Sequence, residues 1–340
     1  MGPCVGAILA AGLGTRLRPL TDHVPKPLVP LAGRPLIERG IDALTTLGAA
    51  PIGINAFHRG DALPRALAHR DEDLRFVHEE TLAGTGGGLR GIARGLPRAT
   101  LVALNGDALF DFDLRPLLAA HRARGSMATL VLRHVPPDSP FARIGVDADL
   151  RVHRIAEIIG PDAAAGAALT LGAYTGVQIV EPALLDALPS SGACDVLRTA
   201  YRDRMAERAA IHAVFAPAEC LWLDVGAVSA YLEAHRAVLD ARLSAPHLPA
   251  PDATGRRVHA DARIDAGATL VGPCAIGAGA VIEPGACVGP YAFIDRGARV
   301  AAGARLSDVV VWAGAVAEGD RRGEVILPEV VPPTTGSTGY

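Results

Sequence analysis

Nine aliphatic residues stand six apart without a break: Val258, Ile264, Leu270, Ile276, Ile282, Val288, Ile294, Val300 and Leu306. Four residues after each of the first eight lies a small one, namely Ala262, Ala268, Cys274, Ala280, Ala286, Ala292, Ala298 and Ala304, and Val310 closes the series. Glycine recurs between them. A six-residue period of this kind predicts a left-handed parallel β-helix, in which three hexads make one triangular coil. The aliphatic side chain fills the interior and the small one fits where the wall turns. Nine hexads predict about three coils over residues 258–317, followed by a loose tail over 318–340.

The chain of 340 residues is long enough for about two domains. Residues 1–243 alternate short apolar strands with helical patterns. Val5–Ala10, Ile52–Asn55, Leu101–Leu104, Ala128–Leu132 and Thr175–Val180 read as strands. Pro35–Leu47, Gly87–Leu96, Leu114–Arg124 and Val228–Leu243 read as helices, with Asp113 and Ser229 placed to cap the last two. This alternation predicts an α/β, Rossmann-like, mostly parallel sheet that places ligands at the carboxyl ends of its strands. Residues 244–257, rich in Pro and Ala, read as a linker.

A net charge of −3 with no basic run speaks against nucleic acid or an anionic membrane as partner. Aromatic residues make up 4%, too few for base-stacking platforms. Five scattered cysteines without a CxxC predict neither a zinc cluster nor a disulfide framework, and fit a reducing cytoplasm. The uncharged run Ala163–Val180 is broken by glycines and reads as loop plus strand rather than as a membrane span. Of the 33 basic residues, 32 are arginine and one, Lys26, is lysine. Lysine is a compact point charge and arginine a planar fork, and they differ most at crowded phosphate sites.

The first strand opens into LAAGLGTRLRPLT (Leu9–Thr21), followed by His23-Val-Pro-Lys26-Pro-Leu. Small residues from Ala10 to Gly14 let a backbone approach a ligand and turn its N–H groups toward phosphate oxygens. The pattern is neither the dinucleotide GxGxxG nor the GxxxxGK[ST] loop. Arg16 stands where it can clamp a polyphosphate, and Lys26, fixed between two prolines, where it can reach an α-phosphate.

AAGLGTRLRPLT…PKPLVPLAGRPLIE is similar to the signature of the sugar-1-phosphate nucleotidylyltransferases (NDP-sugar pyrophosphorylases). GTGGGL (84–89), LVALNGDALFDFDL (101–114), YTGVQIVEPALL (174–185) and LWLDVGAVSAYLEAH (221–235) resemble further family landmarks in the family's order. An appended left-handed β-helix also fits the family. The resemblance implies that a sugar-1-phosphate oxygen attacks the α-phosphorus of an NTP and expels pyrophosphate. It implies a nucleotide site at Leu9, Ala10, Ala11, Gly12, Gly14, Thr15, Glu79, Gly84 and Thr85. Arg16 and Lys26 become catalytic, and Asp107 and Asp224 become ligands of Mg²⁺. The sugar phosphate falls to Gly145, Glu157, Thr175 and Gly176.

Two departures stand out. Many members carry Glu-Lys-Pro before the sugar-pocket strand, whereas here Glu157 is followed by Ile-Ile-Gly. Another cation must serve, and Arg143 is one choice. The GTGGG run resembles the loops of muramate-phosphate uridylyltransferases and heptose-phosphate guanylyltransferases more than the GTAG of many mannose-phosphate enzymes. Glu79 or Glu80 offers a carboxylate that can accept both donors on the guanine edge, which favours GTP over UTP. The expected reaction is therefore GTP with mannose-1-phosphate or a heptose-1-phosphate. The alternatives are UTP with N-acetylmuramate-1-phosphate or a hexosamine phosphate, and, in another class, a nucleotide-sugar-sensing subunit without catalysis. An acyltransferase β-helix would need a catalytic histidine in its coils, where the hexads hold only His259. The open ends of a β-helix need covering, which makes it a site of homo-oligomerisation or effector binding.

Overall fold

The computed structural model describes residues 3–57, 59–136, 138, 139, 141–163 and 168–329. By their internal contacts these residues form two compact units. One comprises Met1–Leu13, Ile37–Pro64 and Arg70–Trp222; the other comprises Gly14–Leu36, Arg65–His69 and Leu223–Tyr340.

The first unit is built on a ten-stranded mixed sheet. Cys4–Leu9 lies at its centre, parallel to Ile52–Ala56 on one side and to Thr100–Asn105 on the other, and Leu74–His78 continues the parallel set. Leu9 stands level with both Asn55 and Asn105, and Ala56 with His78, so four carboxyl ends finish at one edge. Thr170–Val180 is antiparallel to three neighbours, 100–105, 128–134 and 142–146. Alternate side chains on the central strands feed opposite faces. Val5, Ala7, Leu101 and Ala103 pack with Leu89 and Ile92 of the helix Gly84–Arg94. On the other face Ile8 and Leu104 lie against Gly40, and Leu44 against Gly6, so the helix Leu36–Leu47 covers that side. A helix on each face of a sheet buried on both accounts for the near-continuous apolar strands.

The expected elements are present with shifted bounds. Asp113 caps the helix Leu114–Ala123, its carboxylate accepting from the Arg115 amide at 2.9 Å. Ser229 does not cap the Val228–Leu239 helix, whose N-cap is Ala227 without a side-chain bond. The helix expected from Gly87 begins three residues earlier, so the start of the GTGGG run is helix rather than loop: Gly84 opens the helix Gly84–Arg94, and Gly86, Gly87 and Gly88 are buried within it. A Cβ on Gly86 would lie 2.7 Å from Cys194 Sγ, and one on Gly88 2.5 Å from Asn55 Nδ2. Close approach by the neighbours, not turn formation, is what requires glycine there.

The second unit contains the predicted β-helix. Thirteen short strands from Arg256 to Ile326 stack into three all-parallel sheets of five, four and four strands. Val258 pairs with Ile276 and Ile276 with Ile294, the 18-residue coil that three hexads require. The interior holds Ile276, Ile282, Val288, Ile294, Val300 and Leu306 with the small residues Ala280, Ala286, Ala292, Ala298 and Ala304. Two expectations fail at its end. Ile294 pairs with Val311, one residue early, so Val309 and not Val310 takes the small-residue position opposite Ala292. One residue fewer reverses the faces of everything that follows until the next turn, and the chain bends there at Asp308, with φ 55°. The coils also exceed three, because Asp320–Arg322 and Val325–Ile326, expected in the tail, pair with 305–307 and 310–311. Residues 330–340 of that tail lie outside the described residues.

The same unit includes Gly14–Leu36 and the helix Val228–Leu239. Tyr231 donates its hydroxyl to the Pro30 carbonyl and receives Nε1–H of Trp312 at 3.0 Å. His235 Nε2 accepts from the Ala32 amide at 3.2 Å, and its ring meets Phe293 edge-on. Arg236 forms a two-pronged pair with Asp308.

Candidate active site

Within the first unit Leu9–Gly12, Glu79, Gly84, Thr85 and Asp107 gather at the carboxyl edge of the sheet, as open α/β sheets lead one to expect. The Ala10 amide points at Asn55 Oδ1 (2.7 Å) and so is not among the N–H groups left for a phosphate. Ala11 is half-buried and Gly12 exposed, with nothing within 4 Å of where a Cβ would stand, so this part of the loop is open to a ligand. Asp107 lies in the turn after Thr100–Asn105, whose Gly106 amide donates to the Leu9 carbonyl at 2.9 Å. That bond brings the predicted metal aspartate to the base of the first loop.

Glu79 is buried, with both oxygens engaged: Oε1 accepts from Asn55 Nδ2 (2.7 Å) and Oε2 from the Ala83 amide (2.9 Å). Glu80 is exposed. Gly84, at φ 70°, backs onto the Cys194 carbonyl, which accepts from the Gly86 amide at 2.9 Å. Thr85 Oγ1 donates to Asp195 (3.2 Å) and accepts from the Val196 amide (3.0 Å). The segment 194–196 thus clasps the start of the glycine helix. Arg90 reinforces it by donating to the Pro189 and Gly192 carbonyls.

The residues assigned to the sugar phosphate are more dispersed in kind. Thr175 is buried, its hydroxyl donated to the Val131 carbonyl (2.9 Å), and its own carbonyl accepts Nε1–H of Trp222 at 2.8 Å. Gly176, at φ 84°, presses on Asn105. Gly145 is buried in a strand, where a Cβ would meet Leu169 and Arg154 at about 3 Å. These three shape the backbone and present no free polar side chain. Glu157 differs: it is exposed in the turn between Val152–Ile155 and Ile158–Ile159 and pairs with Arg198 at 2.6 Å. Arg198 is a cation that sequence reasoning missed; Arg143 is exposed, and its carbonyl accepts from the Ala156 amide. Phe141 is 56% exposed and lies edge-on to Trp222.

Within the second unit Gly14 adopts the left-handed conformation (φ 64°) and starts the single turn Thr15–Leu17. Its carbonyl accepts from Thr21 Oγ1 at 2.9 Å, and a Cβ on it would lie 3.0 Å from that of Lys26. Lys26 is 9% exposed and opens the turn Lys26–Leu28 between Pro25 and Pro27. Thr15 and Arg16 are exposed, and the Arg16 guanidinium lies over Gly226, where a Cβ would come within 2.8 Å of it. Asp224 ends the strand Trp222–Asp224 and is half-buried. Arg18, outside the expected set, pairs with Asp22 on the surface.

Asp107 and Asp224 supply hard carboxylate oxygens from strand ends. Among the described residues no group of three or more acidic, His or Cys side chains could cage a metal. Each carboxylate, taken within its own unit, is a hard oxygen donor of the kind Mg²⁺ takes, an ion that keeps several waters and binds one or two carboxylates plus substrate phosphates. The five cysteines are free, and no described helix is long and apolar enough to cross a membrane.

A family model described as Nucleotidyl transferase matches residues 5–241. A UTP–glucose-1-phosphate uridylyltransferase of Synechocystis sp. is 28% identical over 306 residues, 79% of this chain and 77% of the relative. A mannose-1-phosphate guanylyltransferase of Mycobacterium tuberculosis is 28% identical over 291 residues, 79% of this chain and 74% of the relative. A mannose-1-phosphate guanyltransferase of Gibberella zeae is 36% identical over a shorter stretch of 142 residues, 40% of this chain and 39% of that protein.

Proposed function

The chain belongs to the nucleotidyl transferase family, and from that premise we propose that it joins GTP to mannose-1-phosphate, giving GDP-mannose and pyrophosphate. A phosphate oxygen of the sugar phosphate attacks the α-phosphorus in line; the new P–O bond forms as the bond to the β-phosphate breaks and pyrophosphate leaves. Such a transfer asks the protein for position and for positive charge where charge builds up, more than for covalent chemistry. Lys26 supplies a point charge to the α-phosphate and the incoming phosphate. Arg16 holds the departing pyrophosphate through its planar fork. Gly12, Gly14 and Thr15 offer backbone to the triphosphate, and Ala83–Thr85 the wall beside the base. Asp107 and Asp224 would hold Mg²⁺, which when bound would neutralise phosphate charge. Glu157 and Arg198 take the sugar phosphate side. A cytoplasmic location and self-assembly through the β-helix belong to the same proposal.

The observation that carries this reading is the clasp of Gly14, Thr21 and Lys26. The sole lysine of the chain is buried against a left-handed glycine turn, where a stiff two-proline segment fixes its backbone. The relative that matches most of its length and is named for UTP and glucose-1-phosphate keeps a second reading open, uridylyl transfer to a hexose phosphate.

The test is pyrophosphate release with Mg²⁺, crossing four NTPs with mannose-, glucose-, N-acetylglucosamine- and N-acetylmuramate-1-phosphate. Turnover is expected with GTP plus mannose-1-phosphate, falling at least a hundredfold in Lys26→Ala and not recovering in Lys26→Arg. Turnover confined to UTP would move the assignment to the second reading. Nucleotide-sugar binding with no turnover on any pair would make the chain a sensor.

A further inference from the structure

Asn55 is the last residue but one of the otherwise apolar strand Ile52–Ala56 and is 3% exposed. Its Oδ1 accepts from the amide of Ala10, the first residue past the strand Cys4–Leu9, and its Nδ2 donates to Oε1 of Glu79, the first residue past Leu74–His78, both at 2.7 Å. Oε2 of Glu79 accepts from the Ala83 amide at 2.9 Å, just ahead of the Gly84 helix. The Glu79 amide is tied to the Ala56 carbonyl (2.8 Å), which fixes the carboxylate's root. Gly88 closes the arrangement, for a Cβ there would stand 2.5 Å from Nδ2 of Asn55 and 3.2 Å from Oε1 of Glu79. Three hydrogen bonds therefore run in series from the backbone behind the first glycine loop to the backbone in front of the glycine helix.

We infer that Asn55 and Glu79 are a positioning pair, which sets the spacing between the loop at Ala10–Gly12 and the turn at Ala83–Thr85, and that this demand, not the base, keeps residue 79 a carboxylate. The reason is donor–acceptor parity. Both ends of the series are N–H donors, so the two side chains between them must present three acceptors and one donor. One amide plus one carboxylate does so, in either order. Two amides leave donor facing donor however they are flipped, and two ionised carboxylates leave acceptor facing acceptor. Both groups are buried, so water cannot repair the mismatch. It follows that Glu79 carries no weight as evidence for guanine, and that any preference for GTP is set elsewhere in the site.

The functional half of this inference rests on the proposed transfer reaction, so the experiment includes readouts that need no turnover. Four nearly isosteric proteins are compared: the native chain, Asn55→Asp, Glu79→Gln, and the double exchange Asn55→Asp/Glu79→Gln. Each single change is expected to lower the thermal midpoint and the hydrogen-exchange protection of the Ala10 or Ala83 amide. Each should also raise the NTP KM at least tenfold while the sugar-phosphate KM moves less than twofold. The double exchange restores the parity with the charge moved to position 55. It should recover midpoint, protection and most of the NTP KM, with the native ratio of GTP to UTP turnover. Single variants that behave as native, or a double exchange no better than the worse single, would overturn the pair. A double exchange that recovers stability but switches from GTP to UTP would return base reading to Glu79 and overturn the inference about specificity. Should the native protein turn over no NTP, the proposed reaction fails, while the melting and exchange results still decide whether the pair exists.

Discussion

Arg16 lies across Gly226 so closely that no larger residue fits beneath it without contact. What a Cβ would meet is the far end of a flexible side chain, so Gly226→Ala is expected to fold normally while swinging the guanidinium aside. The expected result is about a tenfold fall in kcat/KM, near 1.4 kcal/mol, with the melting temperature within a degree or two of native. A change confined to stability would show that Arg16 has no part in the transfer. Tyr174 makes the opposite argument. Its hydroxyl is buried with no hydrogen-bond partner among the described residues, and burial pushes its pKa well up. An unmade bond costs on the order of 1 kcal/mol or more, so Tyr174→Phe should melt higher than native; a lower melting temperature would refute the orphan. Lys26 was legible in the sequence because its rarity marks it. Asn55 was not, although a lone polar residue within the run IGINA is a signal. What it contacts lies 45 residues back and 24 residues on, and no local pattern encodes that.

At the level of elements, strands and helices were legible where apolar period and length agreed, and failed where one residue type serves two purposes. Glycine is the poorest helix former after proline, so the start of the GTGGG run reads as loop; yet close approach by Cys194 and Asn55 makes glycine the residue that fits at 86 and 88. A second element shows how the buried polar groups of the sheet set its pH response. His121 of the helix Leu114–Ala123 is 1% exposed, with Nδ1 2.8 Å from Thr129 Oγ1 and Nε2 3.1 Å from Glu181, which also accepts from Thr100. Burial lowers its pKa below the usual 6.5, partly opposed by Glu181. His212 moves the same way, through burial and the nearby Arg124 and Arg151. Below pH 6.5 the unfolded chain therefore takes up more protons than the folded one, and stability falls as pH drops. The melting temperature is expected to decline from pH 7 to pH 5, and His121→Gln to flatten part of that decline. An unchanged slope in the variant would remove His121 from the account.

At the scale of the whole chain the change of period near residue 258 marks where secondary structure changes, and it says nothing about where cooperative units end. The apparent boundary at 244–257 lies inside one compact unit, which also contains the Lys26 segment. The physical cause is the helix Val228–Leu239, whose Tyr231 and His235 bond to Pro30 and Ala32 while also meeting Trp312 and Phe293 of the coils. Sequence periodicity reports which face of an element is apolar, but not which distant element covers it. A chain cut after residue 257 should therefore not behave as a free-standing enzyme. It is expected to lose hydrogen-exchange protection across 14–36 and 223–243 together, and to lose turnover, although every motif residue remains. Phe293→Ala tests the same coupling in the full chain. Removing this buried ring should cost about 3–5 kcal/mol and lower protection in the Val228–Leu239 helix as well as in the coils. If the cut chain melts as sharply as the full one and keeps native turnover, the helix is covered well enough without the coils, and the linker is the boundary its composition proclaims.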